Sequence, residues 1–169
     1  MGPACIRAHA VASGRGRTGM RENPDARRRR RRRCSLRLLA TFEFRIATRW
    51  SDFDALGHLN HAAYHVFLDE ARDDALRRTV GDFDTWPNVV AHASIDYRRE
   101  VPLGVREVVV RTAIVEVRRS SVRLEQQVLS PDGTTAADAA AVLVAWDRTT
   151  RSSRAITAAE RARLLEGVA

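Results

Sequence analysis

Only one stretch of this chain has the residue spacing of a long amphipathic helix, and the segments around it have the spacing of strands. Between Asn60 and Val80, apolar residues recur every three or four positions and form one stripe. The stripe consists of Tyr64, Phe67, Leu68, Ala71, Ala75 and Leu76. Asn60 suits the N-cap of this helix, and Gly81 suits its stop. A fold with one long helix must use that helix to cover a sheet.

The remaining segments predict that sheet. In TFEFRIATRW, residues 41–50, apolar and polar residues alternate, which places Phe42, Phe44 and Ile46 on one face of a half-buried strand. Further strands are predicted over residues 89–97, 105–117, 121–130 and 136–148, and a short helix over 157–165. The last strand, rich in alanine and valine, is expected to be almost fully buried. The order indicates an α+β fold, with a mostly antiparallel five-stranded sheet around one central helix.

The formal net charge of +8 belongs to the beginning of the chain. Residues 1–40 hold 12 arginines and two acidic residues, whereas residues 41–169 have a net charge of −2. The first segment has few apolar residues to bury, so it is expected to be a disordered, arginine-rich tail or the result of a start codon assigned too early. Attraction to nucleic acid or anionic lipid is the functional alternative. Seven consecutive arginines without aromatic residues form no base-reading surface, which argues against a nucleic-acid partner.

Both cysteines, Cys5 and Cys34, lie in this tail. The domain expected over residues 41–169 therefore has neither a disulfide framework nor a thiolate metal site, which is typical of a protein of the reducing cytoplasm. No apolar segment resembles a secretory signal or a membrane span.

The segment RWSDFDALGHLNHAAYHVFLDEAR, residues 49–72, contains three of the five histidines within eight positions. Two carboxylates, Asp52 and Asp54, stand in a turn just before the helix. A helix start offers unpaired backbone N–H groups that can hold a carbonyl oxygen as it gains negative charge. A nearby carboxylate can then attack that carbonyl or deprotonate a water molecule. The pattern favours acyl transfer without a serine or cysteine nucleophile, although carboxylates also occur before helices simply because they stabilise them.

The same segment resembles the signature of the hotdog-fold acyl-CoA thioesterases of the 4-hydroxybenzoyl-CoA thioesterase type. That signature reads D-x-D-x-x-G-H-x-N-x-x-x-Y at the start of a central helix that ends in E-A-R. The resemblance extends from about Phe42 to Trp146 and includes the segment RRSSVRLE. It implies a hotdog fold, hydrolysis of an acyl-CoA to free acid and CoA without cofactor or metal, and a homodimer or homotetramer. The alternative on the same fold is a non-catalytic or dehydratase-like protein that binds acyl thioesters.

The resemblance also implies roles for individual residues. Asp54 matches the catalytic aspartate, which acts as nucleophile or general base. Asp52 matches the preceding carboxylate, whose role varies. His61 falls at the helix start, where the backbone N–H polarises the thioester carbonyl.

Four more residues of the motif are implied to shape the site. Gly57 allows close approach to the ligand, and His58 and Asn60 orient the turn and cap the helix. Tyr64 matches a helix tyrosine that packs beside the substrate. Many relatives have two asparagines where this chain has Asn60 followed by His61, which leaves the role of the His61 side chain open.

Two arginine-rich segments are candidates for binding the phosphates of coenzyme A. Arg118, Arg119 and Ser121 stand at a predicted hairpin that the resemblance places near the nucleotide. Arg98 and Arg99 follow the second strand. Solvated charge at strand ends is the competing interpretation for both.

The motif has two other possible interpretations, a metal site and a catalytic carboxylate within the helix. His61, His65 and Asp69 share one helix face, as metal ligands can, but the H-E-x-x-H pattern of zinc hydrolases is missing. Asp69 or Glu70 would be the catalytic carboxylate in another branch of the hotdog fold. With Asp54 present, an ion pair between Glu70 and Arg72 or a neighbouring residue is expected instead.

A histidine outside the motif, His92, alternates with alanines on the second strand. It is expected to be partly buried and hydrogen-bonded, and a role in lining the pocket is the alternative.

Overall fold

The structure is a computed structural model that describes residues 40–166. The strands are β1 (Ala40–Ala47), β2 (Asn88–Tyr97), β3 (Glu107–Val117), β4 (Ser121–Leu129), β5 (Thr135–Asp147) and β6 (Ser152–Ser153). The helices are α1 (His61–Arg77) and α2 (Ala158–Glu166). Residues 1–39 lie outside the described residues, and so do both cysteines and, apart from Ala40, the tail that was predicted to be disordered.

The strands form one antiparallel sheet in the order β1-β3-β4-β5-β2. The five long strands were all predicted, and the two-residue β6, which pairs with the end of β5, was not. The α+β prediction is confirmed. Strands β1 and β2 form the two edges, so each has one hydrogen-bonded neighbour.

Helix α1 packs across the inner face of β1, β3 and β4. Its predicted apolar stripe is buried throughout. Phe42 and Ile46 of β1 are buried beneath it, and Phe44 is partly buried, as the alternation in β1 predicted. Strand β5 is buried mainly at its inward-facing positions, so the prediction of an almost fully buried strand is only partly correct.

The ends of α1 follow from local capping. The side chain of Asn60 accepts a hydrogen bond from the N–H of Ala62 at 2.9 Å, which confirms the predicted N-cap. The helix ends at Arg77, three residues before the predicted end. Gly81 follows with a φ of +113°, and its N–H donates to the carbonyl of Leu76.

One buried polar network fixes α1 on the sheet. Arg72 is 9% exposed and donates to Gln126 of β4 at 3.1 Å. Gln126, which is 1% exposed, donates to the carbonyl of Leu68 and to the hydroxyl of Thr112. The second guanidinium nitrogen of Arg72 pairs with Asp69 at 2.6 Å. The expected pair between Glu70 and Arg72 is therefore wrong.

Strand β2 is mostly exposed. Eight of its ten residues are exposed, because β5 is its only neighbour among the described strands and α1 packs mainly across β1, β3 and β4. Its exposed side chains include the apolar Val90 and Tyr97. The expectation that His92 is partly buried is wrong for the same reason.

Candidate active site

A tight turn brings the motif residues together ahead of α1. The backbone N–H of Asp54 donates to the carbonyl of His58 at 3.0 Å, and the N–H of Gly57 donates to the carbonyl of Asp54 at 3.0 Å. Gly57 has a φ of +80°, a backbone conformation that L-residues adopt only at a cost. The carbonyl of Gly57 accepts from Leu103 at 2.7 Å, so the turn is fixed against the segment after β2.

The carboxylate of Asp54 is held by two groups of this turn. One oxygen accepts a hydrogen bond from the N–H of Leu56 at 2.9 Å. The other lies 3.2 Å from Nδ1 of His58. The side chains of Asp54 and His58 keep 25% and 31% of their exposure, so both remain accessible from one side. The arrangement orients a carboxylate while leaving it open to a ligand.

Asp52 has a different environment. Its carboxylate accepts a hydrogen bond from the N–H of Arg49 at 2.7 Å and closes the short 3-10 turn over residues 50–52. Its carbonyl accepts from the N–H of Asn60 at 2.8 Å. Asp52 therefore fixes the backbone of the turn that leads into α1, and its side chain does not line the cavity in front of that helix.

The N-terminus of α1 presents a backbone donor to the same region. Asn60 satisfies the N–H of Ala62 with its side chain and that of Ala63 with its carbonyl. Within residues 40–166, the N–H of His61 has no acceptor. This N–H lies at the positive end of the helix dipole, where it can stabilise a developing oxyanion.

These groups line a cavity of about 390 Å³. Its lining residues are Asp54, His58, Leu59, His61, Tyr64, Tyr97, Arg98, Arg99 and Glu100. The rings of Tyr64 and Tyr97 meet edge to face, with their centroids 5.2 Å apart. Burial raises the pKa of Tyr64, and neighbouring Tyr97 raises it further, so the phenol stays neutral at physiological pH. The cavity thus combines an oriented carboxylate and a helix N-terminus with an apolar wall.

Sequence reasoning missed three lining residues of this cavity: Leu59, Tyr97 and Glu100. Leu59 carries no chemical signal, and the other two lie about forty positions after Asp54. The only local signal for them was their proximity to Arg98 and Arg99. The guanidinium of Arg98 is also shared, at 2.9 Å with Asp138 and at 3.4 Å with Asp96.

The hairpin between β3 and β4, which carries Arg118, Arg119 and Ser121, lies at the opposite end of the sheet. Ser121 pairs with Val144 of β5, whereas the end of β2 that lines the cavity pairs with Ala137. These positions are about 23 Å apart along the strand, at about 3.3 Å per residue. The hairpin and the cavity of one chain are therefore separate.

A smaller cavity of about 100 Å³ adjoins that hairpin. It is lined by Glu116, Arg118, Ser121, Arg123 and Val142. Arg118 pairs with Glu116 at 2.9 Å and is otherwise largely exposed.

The helix-face alternative of His61, His65 and Asp69 gains no geometric support. Within the described part of the chain, no three histidine, cysteine, aspartate or glutamate side chains come together as metal ligands. The Asp69 carboxylate pairs with Arg72.

Among the described helices, none is long and apolar enough to cross a membrane.

The sequence matches a family model. The model of the thioesterase-like superfamily matches residues 48–167, which include the turn, α1 and the whole sheet except β1. The chain belongs to this superfamily, and it is a thioesterase with the hotdog fold. The resemblance stated for the motif is confirmed at this level. No curated protein sequence matches the chain.

Solved structures agree with this assignment. A thioesterase from Thermus thermophilus, solved with coenzyme A and Zn, is 32% identical, covers 72% of this chain and 95% of its own, and gives a TM-score of 0.65. The probable thioesterase YbaW from Escherichia coli is 28% identical over 75% of this chain and 98% of its own, with a TM-score of 0.65. A predicted thioesterase from Bacillus stearothermophilus, 24% identical, covers 77% of this chain and 98% of its own with a TM-score of 0.70, and supports the fold.

Proposed function

We propose that this thioesterase hydrolyses an acyl-CoA thioester to a free acid and CoA. Asp54 acts as nucleophile or general base, and the N-terminus of α1 at His61 polarises the carbonyl. The observation that carries the proposal is the position of both groups on one cavity, where the carboxylate is oriented and the N–H of His61 has no acceptor among the described residues.

Either role of Asp54 balances the reaction. As a nucleophile, the carboxylate attacks the carbonyl carbon, the C–S bond breaks, and the CoA thiolate leaves and takes a proton from solvent. Water then cleaves the acyl–aspartyl anhydride. As a general base, Asp54 instead takes a proton from the water that attacks the carbonyl carbon; the C–S bond of the tetrahedral intermediate then breaks, and the CoA thiolate leaves and takes up that proton. In both cases the oxyanion forms against the N–H of His61.

The other motif residues support these two groups. His58 lies 3.2 Å from the Asp54 carboxylate and orients it. Gly57 provides the turn conformation, and Asn60 caps the helix and so aims its first N–H groups. Asp52 holds the approach to the turn rather than touching substrate.

Two observations support coenzyme A as the thiol. The Thermus thermophilus thioesterase, at 32% identity, was solved with coenzyme A. Arg98 and Arg99 line the cavity mouth of this chain, where guanidinium groups suit phosphate. The guanidinium of Arg98 already forms ion pairs with Asp138 and Asp96, which neutralise part of its positive charge and reduce its attraction for a phosphate.

We further propose that the active unit is a homodimer, or a homotetramer built from dimers. Within residues 40–166, one edge of β2 pairs with no other strand, and exposed apolar residues lie along β2, among them Val90. Antiparallel pairing of β2 with a second copy would set the β3–β4 hairpin of that copy about 14 Å from this cavity edge, three strand spacings away. In that arrangement Arg118, Arg119 and Ser121 of the second copy reach the nucleotide.

The cytoplasm is the proposed location, because the domain contains no cysteine and the proposed substrate class, acyl-CoA, is intracellular.

Release of free thiol tests the function. The full-length protein is mixed with short, medium, long and aromatic acyl-CoAs, with Asp54→Asn as the matched variant. We expect turnover with at least one member and its loss in Asp54→Asn, while calorimetry with CoA shows unchanged binding. Binding without hydrolysis in the wild type would instead favour the non-catalytic or dehydratase-like alternative.

A further inference from the structure

The cavity lining combines two chemical types of residue. Charged and polar residues such as Asp54 and His61 stand beside the apolar and aromatic residues Leu59, Tyr64 and Tyr97. An acyl group is apolar, so the second type provides its contacts when the thioester carbonyl meets Asp54 and the His61 N–H. These side chains therefore decide which acyl groups fit.

Tyr64 lines the cavity beside His61, the residue whose N–H is proposed to hold the reacting carbonyl. It lies three residues after His61 in α1, about 5 Å along the helix axis. Side chains of a helix lean toward its N-terminus, which brings this ring toward the carbonyl. Tyr64 is only 3% exposed, so it cannot swing away without opening the core.

Tyr97 closes the space beside Tyr64. It is the last residue of β2, and its ring meets the Tyr64 ring at an interplanar angle of 83°, with the centroids 5.2 Å apart. Edge-to-face contact at this separation is a favourable aromatic arrangement. Tyr97 itself is 49% exposed, so it forms the movable half of the wall.

Behind Tyr97, the same face of the sheet is lined mainly by small residues. The residues on that face are Ile95 and Ala93 in β2 and Ala137, Ala139 and Ala141 in β5. None of them lines the cavity. Ala137 and Ala141 are buried, and Ile95 and Ala139 pack against the core, so this face offers an acyl chain no room of its own beyond the Tyr64–Tyr97 pair.

We propose that Tyr97, packed on Tyr64, limits the length of the acyl group, so that the enzyme selects short or compact acyl chains. Tyr97 is the specificity-determining residue, and its removal gives longer chains the space that its ring occupies at the edge of the cavity. This inference rests on the proposed acyl-CoA thioesterase function. The modest volume of about 390 Å³, shared between the acyl group and the end of the CoA arm, agrees with it.

The test compares kcat/KM for butanoyl-, octanoyl- and dodecanoyl-CoA. In wild type the butanoyl thioester is preferred. Each methylene that finds apolar room contributes about fourfold, so Tyr97→Ala should raise the ratio of octanoyl to butanoyl activity by about tenfold or more. Tyr97→Phe keeps the ring and should leave the ratio within about twofold of wild type.

Val66→Ala is the matched control. Val66 is 54% exposed on α1, two residues after Tyr64, and does not line the cavity, so its loss tests for a general effect of truncating an exposed apolar side chain near the site. The ratio should not change in this variant. An unchanged ratio in Tyr97→Ala, or equal changes in Tyr97→Ala and Val66→Ala, would overturn the inference.

A binding series separates this inference from the proposed function. Absence of turnover with every thioester would refute the function, yet the wall would still act on binding. Calorimetry with non-hydrolysable S-butyl- and S-octyl-CoA thioethers then gives the same comparison. Weaker binding of the octyl thioether in wild type, relieved in Tyr97→Ala, supports the wall. Equal binding of both thioethers in wild type contradicts it.

Discussion

The turn at Gly57 allows the claim about Asp54 to be tested without touching the carboxylate. Gly57 has a φ of +80°, and a Cβ added there would meet no atom within 4 Å. Gly57→Ala therefore adds no collision, only the cost of holding an L-residue in the left-handed region, about 1–2 kcal/mol. Its N–H closes the turn on the carbonyl of Asp54, so relief of the strain must disturb that residue.

The β4–β5 turn provides a matched control in the same chain. Gly133 has a φ of +79°, equally open space at Cβ, and an N–H that closes its turn on the carbonyl of Ser130 at 2.8 Å. Gly133→Ala should therefore cost the same 1–2 kcal/mol, about 2–8 °C in melting temperature for a chain of this size. No residue of that turn lines the cavity.

The two variants should differ in activity. For Gly57→Ala we expect kcat/KM to fall by about tenfold if the full strain is relieved by moving the turn, and by about a hundredfold if the carboxylate shifts by about 1 Å. For Gly133→Ala the value should stay within about twofold of wild type. Thiol release and thermal melting on the same preparations measure both quantities. Equal activities at equal melting temperatures would refute the argument that this turn positions Asp54.

Three further predictions concern stability. Asn60→Ala removes the cap of α1 and should lower the free energy of unfolding by about 1 kcal/mol, measured by denaturant melts, while Asn60→Asp stays near wild type. Gln126→Leu leaves the buried guanidinium of Arg72 short of a partner and should cost about 3 kcal/mol in the same melts, and a loss below 1 kcal/mol would contradict the described network. The hydrogen bonds from Arg154 lower the pKa of Glu160. This lowered pKa stabilises the fold above the ordinary value of 4.5 and stops doing so as the pH falls through the lower folded value. Melts across pH should therefore show Glu160→Gln less stable than wild type at neutral pH, with the difference vanishing in acid.

The order of elements was predictable because each one carries its own periodicity. The apolar stripe of α1 and the alternation in β1 depend only on neighbours in sequence. The burial of β2 was not predictable in this way: an edge position is decided by which strands pair, and the alternation around His92 is the same for an edge strand and an inner one. The partner of Arg72 was missed for a local reason: residues two apart on a helix, such as Glu70 and Arg72, do not face each other, whereas Asp69 stands three residues before Arg72 and does.

The residues of the candidate site also differ in how far the sequence predicts their positions. Asp54, His58 and His61 are close in sequence, so a turn followed by a helix cap already brings them together. Tyr97 enters the cavity through the register of β2 on β5 and the position of α1, and nothing near it in sequence indicates this. The β3–β4 hairpin shows the reverse case. Its arginines suit phosphate by type, but the sheet sets them far from the cavity of their own chain.

The most direct test of the central claim compares two carboxylates of one motif. Asp54→Asn and Asp52→Asn each replace one carboxylate oxygen with an amide nitrogen and remove the negative charge. For each variant, kcat is measured at a saturating concentration of an acyl-CoA that the wild type hydrolyses. Asp54→Asn should lose about a hundredfold or more. Asp52→Asn can still accept the N–H of Arg49 and should stay within about threefold. Comparable losses in both variants, or near-normal turnover by Asp54→Asn, would contradict the role of Asp54 as nucleophile or general base.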